Sequence, residues 1–100
     1  MSTATPGQRL EAYTLKYPQE VLLVDTRIAG EEDCVAIFRG FSSSLMRPTA
    51  FDPDVPVLPA EAEIIAIHRL QGPYHPDQPH YLERDLPWAV MDDRLQALGL

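Results

Sequence analysis

Cysteine is almost absent. Cys34 stands alone, so no disulfide can form within the chain, and a reducing compartment is the expected setting. Lysine is as scarce. Lys16 is the only one, and Lys and Arg together number 8 against 15 Asp and Glu, for a formal net charge of −7. Proteins that hold nucleic acid gain affinity by displacing counterions with Lys and Arg. A field this acidic repels phosphate, so nucleic acid is not the expected partner. No apolar run approaches the roughly 20 residues that a spanning helix needs, so no membrane insertion is expected. Met1 to Gln8 holds no apolar stretch, and no signal peptide is expected. Repeats, low-complexity blocks and an interdomain linker are missing too. The 100 residues suit a single domain, 1–100, with one core.

What the chain does have is proline. Most of its 10 prolines lie between Pro48 and Pro87, interleaved with apolar residues, which reads as ordered loops. At the start, Thr5-Pro6-Gly7-Gln8 predicts a helix N-terminus, with Thr5 as N-cap, Pro6 at N1 and Gln8 closing a capping box. Leu10, Tyr13 and Tyr17 share one face, and Pro18 ends a helix over 5–17. A β core is expected over 20–70. Val21 to Ile28 and Cys34 to Arg39 read as an antiparallel hairpin, with Gly30 to Asp33 as a longer, solvated turn. Both faces of the first strand are apolar, so each needs a cover. Ser42 to Arg47 can form a short third strand, and Glu63 to Leu70 is a clear fourth. Between them lies a Pro-rich loop, 48–59, too rich in X-Pro steps for a helix or a central strand. Asp85 is placed to cap a last helix over 86–98, with Trp88, Met91, Leu95 and Leu98 on one stripe and Gly99 beyond its end.

The expected class is mainly β (α+β): a small bent antiparallel sheet, or an SH3/Sm-like barrel, with an N-terminal and a C-terminal helix. The helix-then-strands layout is similar to an Sm-type module, without its RNA-binding motif; that likeness concerns the fold and carries no function.

Two stretches are distinctive: Phe38-Arg39-Gly40-Phe41-Ser42-Ser43-Ser44-Leu45-Met46-Arg47-Pro48-Thr49-Ala50 and Arg69-Leu70-Gln71-Gly72-Pro73-Tyr74. They resemble a small uncharacterised family, a domain of unknown function, of cyanobacteria and plant plastids, over residues Arg9 to Trp88. The resemblance implies no activity. It implies a photosynthetic-lineage context and a cytoplasmic location, stromal in plastid relatives.

Catalytic groupings are weak. His68, His75 and His80 match no zinc spacing, and Cys34 has no Cys partner. The carboxylates Glu31 to Asp33 would raise the thiol pKa of Cys34, so a buried structural cysteine is expected rather than a nucleophile. Asp52 and Asp54 flank Pro53 and fit Asx-type turns better than acid–base work. Asp92 and Asp93 read as a solvated helix face. Ser42 to Ser44 follow a single Gly, with no Lys and no helix behind them, so they do not make a phosphate loop. No cofactor, metal or catalytic residue is expected. A shared positive spot is better supported: Arg39, Arg47 and Arg69, with Phe41, Phe51 and Tyr74 near them in sequence. Arg and aromatic residues dominate binding hot spots, although core packing and ion pairing would account for the same residues. The first reading is therefore a non-catalytic protein-interaction module, or an accessory subunit of a larger assembly, with a protein partner. The second is a small-barrel nucleic-acid module. The third is an enzyme, which convergence of His68, Asp52 and Cys34 would revive.

Overall fold

A computed structural model describes residues 5–28, 30–45, 58, 62–75 and 77–100. The first helix, α1 (Pro6–Lys16), begins as its capping box dictates. Thr5 Oγ1 accepts from the Gln8 amide at 3.2 Å, and Gln8 Oε1 accepts from the Thr5 amide at 2.9 Å. Reciprocal caps of this kind satisfy donors that the first helical turn leaves unpaired. The buried side of α1 is Leu10, Tyr13 and Thr14.

The sheet is built on β1 (Glu20–Ile28), which pairs antiparallel with β2 (Glu31–Phe38) and with β4 (Glu63–Gln71). The short β3 (Phe41–Ser44) flanks β2, and β5 (Tyr81–Leu86) flanks β4. The order is β3-β2-β1-β4-β5, with β3 and β5 at opposite edges. The barrel alternative is thereby corrected: the sheet stays open. Both faces of β1 are covered without closure. Leu22, Val24, Val35, Ile37 and Ile67 meet Leu10, Tyr13, Met91 and Leu95 of the helices on one face. Val21, Leu23 and Leu70 form a second cluster on the other, with Cys34, Ala36 and Tyr74 against it.

Four boundaries differ from expectation, the first being the third strand, expected over Ser42 to Arg47 and found at Phe41–Ser44. The β1–β2 connection is short, because Ile28 pairs directly with Glu31. Gly30 supplies the positive φ, 82°, that tight hairpins favour. Glu31 to Asp33 therefore lie in the strand and not in a turn. Opposite charge holds that register, since Glu32 faces Arg27 across the ladder. Residues 81–86, expected as loop and helix start, are the fifth strand. The last helix, α2 (Trp88–Ala97), starts later than expected, with Pro87 as N-cap. Asp85 is not a cap: it ends β5 at φ 56°, and its amide donates to His68 Nδ1 at 3.1 Å. The expected apolar stripe does face the core, with Met91 and Leu95 buried and Trp88 and Leu98 packed against the main cluster.

Arg9 ties the helices together. It pairs with Asp92 at 2.8 Å, donates to the Leu100 carbonyl at 3.2 Å and lies 5.6 Å from the Trp88 ring centroid. Asp92 is thus an ion-pair partner rather than a solvated position. Of the Pro-rich loop 48–59 only Leu58 is described; it is buried in the main cluster. Arg47 and Phe51 lie outside the described residues, as do Asp52 and Asp54.

Candidate functional site

The turn between β2 and β3 is Arg39-Gly40, closed by the cross-strand pair Phe38 and Phe41. Both turn residues have positive φ, 49° and 83°, the pattern of a type I′ hairpin turn. Two hydrogen bonds pin this hairpin to α1. Thr14 Oγ1 accepts from the Gly40 amide at 2.9 Å, and Ser42 Oγ donates to Glu11 Oε2 at 2.6 Å. Leu15 lies over the glycine so closely that a Cβ there would stand 3.0 Å from its Cγ and Cδ2. The Arg39 guanidinium sits 5.0 Å from the Phe38 ring centroid. The result is an apolar knuckle pinned to α1 and open to water, with Phe41 79% and Leu15 65% exposed. Leu15 was legible in one respect: it falls off the Leu10, Tyr13, Tyr17 face. Phe38 offered no such signal, because a strand end reads alike whether covered or not.

The other residues of the expected positive spot go elsewhere. Tyr74 packs on the second cluster. Arg69 points into a cleft on the helix side, where its Nε donates to Glu20 Oε1 at 2.8 Å and its Nη1 to Glu83. Arg94 of α2 also binds Glu83, with Nη2 on Oε2 at 2.7 Å. The structure therefore places Arg39 and Phe41 around one turn, Arg69 in the helix-side cleft, and Tyr74 against the second cluster. Tyr13 Oη donates to Glu20 Oε1 at 2.8 Å. Burial, followed by that hydrogen bond and the Glu20 charge, pushes the Tyr13 hydroxyl up to about 12. Hydrogen bonds from Arg94, and then Arg69, hold the Glu83 carboxyl down at about 2. Glu20, Glu83, Arg94 and the two tyrosines had no sequence signal, since they converge from four separate elements.

Cys34 and His68 do share a neighbour. Asp25, on β1 opposite Cys34, lies 2.8 Å from His68 Nε2. Burial, then the Asp25 charge and hydrogen bond, push the Cys34 thiol up to about 11, so it stays protonated at neutral pH. His68 Nδ1 accepts from the Asp85 amide, which leaves Nε2–H facing the Asp25 carboxylate. Both ring nitrogens are thus engaged. Ser44 Oγ donates to Asp33 at 2.9 Å, so two members of the serine run serve the fold. Among the described residues, no group of three His, Cys, Asp or Glu side chains is placed to hold a metal ion. None of their helices is long and apolar enough to cross a membrane.

Fold and surface together define a small α+β domain: an open antiparallel sheet with helices on one face and a pinned aromatic turn at one end. The chain belongs to a family described as a domain of unknown function (DUF7734), whose model matches residues 7–95. No curated protein and no solved structure shows significant similarity to it.

Proposed function

We propose that this domain is a non-catalytic protein-interaction module, an accessory part of a larger assembly, and that the β2–β3 turn is its contact surface. The observation that carries this reading is the exposure of Phe41 and Leu15 on a turn held by two hydrogen bonds to α1. An exposed aromatic costs solubility and returns nothing to the core, whereas rigid aromatic and Arg groups are the anchors of protein interfaces. A pre-ordered turn also lowers the entropy lost on binding. The net charge of −7 favours a protein partner over nucleic acid. The lone, protonated Cys34 fits a reducing cytoplasmic setting, or a stromal one in plastid relatives, within the photosynthetic lineages that the sequence resemblance implies.

The test is affinity capture from native extract with the wild-type chain and with Phe41→Ser and Leu15→Ser. The wild type should retain a defined partner that both variants lose while staying folded. Retention of the same partner by both variants removes the turn from the interface.

A further inference from the structure

The cleft between α1, α2 and the β4–β5 side of the sheet carries more charge than packing requires. Four side chains line it in alternating sign, Glu20, Arg69, Glu83 and Arg94, each bonded to the next. Apolar contacts would pin the same elements without them. The row is also incompletely used. Arg94 Nε and Glu20 Oε2 take part in none of these bonds. Neither atom is a buried orphan. Beneath them the floor is apolar and aromatic. Tyr13 and Tyr17, with ring centroids 4.9 Å apart, are joined there by Ala97 and Leu98. The cleft is an open depression of about 400 Å³, within the volume range of small-molecule sites.

We propose that this cleft binds a small zwitterion with an aromatic or large apolar body, an α-amino acid being the simplest such ligand. Its carboxylate is received by the Arg69 and Arg94 guanidinium groups, its ammonium by Glu20, and its side chain by the tyrosine floor. The alternating row selects for a zwitterion. A simple anion gains at each Arg and is repelled by the neighbouring Glu, and a simple cation meets the reverse. A ligand carrying both charges at short separation is matched at both positions. The cleft is separate from the β2–β3 turn, so this inference stands or falls independently of the partner-contact reading.

The test is titration of the full chain with L-phenylalanine, phenylacetate and phenethylamine, read by the ring NMR signals of Tyr13 and Tyr17 and by the thermal unfolding midpoint. L-phenylalanine should give saturable shifts in the millimolar range and raise the midpoint. The two singly charged analogues should bind about tenfold more weakly, which equals ~1.4 kcal/mol. Arg94 is the most exposed member of the row, at 38%, so Arg94→Gln keeps the fold and should weaken phenylalanine binding about tenfold. Glu20→Gln should do the same through the ammonium. Absence of any shift with L-phenylalanine, equal responses to all three compounds, or unchanged binding by Arg94→Gln would overturn the proposal.

Discussion

Arg39 and Arg69 carry the same guanidinium, one in the turn after β2 and one within β4 of the same sheet, yet they do opposite things. Arg69, on a central strand, is 20% exposed and is fixed by Glu20 from β1 and Glu83 from β5. Arg39, in a turn at the edge of the sheet, is exposed and leans on Phe38. The difference is one of neighbours across the ladder. A residue in a central strand inherits partners from both sides, whereas a turn residue inherits none and presents what it has to solvent. Arg69 therefore belongs to the fold and to the cleft, and Arg39 to the outer surface.

That contrast can be broken first by stability. Arg69→Ala strips Glu20 and Glu83 of a shared partner in a mostly buried place and should cost about 3 kcal/mol. Arg39→Ala should stay within about 0.5 kcal/mol. Urea unfolding of the two variants measures both, and equal costs would mean that the contrast does not exist.

The two hairpin glycines give the next largest effect. Gly30 and Gly40 have nearly the same positive φ, 82° and 83°, but a Cβ meets nothing within 4 Å at Gly30 and meets Leu15 at 3.0 Å at Gly40. Gly30→Ala should cost about 1 kcal/mol through conformation alone. Gly40→Ala should cost more, because it also displaces Leu15. A smaller penalty at Gly40 would show that the knuckle is looser than its hydrogen bonds imply.

Titration separates the regions more finely. The Glu83 pKa lies at about 2 rather than the ordinary 4.5, so its stabilising contribution is complete above pH 4.5 and is lost as pH falls towards 2. The Tyr13 pKa lies at about 12 rather than 10, so its contribution is present below pH 10 and is lost as pH rises through 12. Glu83→Gln should flatten the acid limb of the stability profile, and Tyr13→Phe the alkaline limb. Tyr13→Phe should also cost about 1 kcal/mol at neutral pH by losing its hydrogen bond to Glu20. No acid or alkaline limb should change in Arg39→Ala. The smallest effect belongs to the knuckle itself: Leu15→Ser and Phe41→Ser should each move stability by less than about 0.5 kcal/mol.

Much of the fold was legible because local chemistry dictated it. Thr5 and Gln8 announce a capping box wherever they occur at that spacing before a periodic run. The two-sided apolar pattern of Val21 to Val24 required burial on both faces, and all four residues are buried. What local pattern could not supply was the number of strands. Tyr81 to Leu86 has a polar, charged middle, and it becomes a strand because β4 offers it an edge; that is a tertiary cause. The same reason hid the helix start, since His68 takes the Asp85 amide from a distant strand. Of the expected site, Arg39 and Phe41 meet because they lie two residues apart around one turn. Arg69 parts from them because alternation along β4 turns it to the helix face, whereas Tyr74, beyond the turn after β4, packs on the second cluster. The cleft was illegible for a similar reason: a row of four charges from β1, β4, β5 and α2 has no spacing in sequence.

The central claim is that the β2–β3 turn, and not the ion-paired cleft, meets the partner. Site-specific photo-crosslinking in native extract tests it most directly, with a photoreactive residue in place of Phe41 in one sample and of Arg94 in another. The account predicts a discrete crosslinked species from position 41 and none of that mass from position 94. A crosslink from position 94 alone, or none from position 41 under conditions that retain a partner, would contradict it.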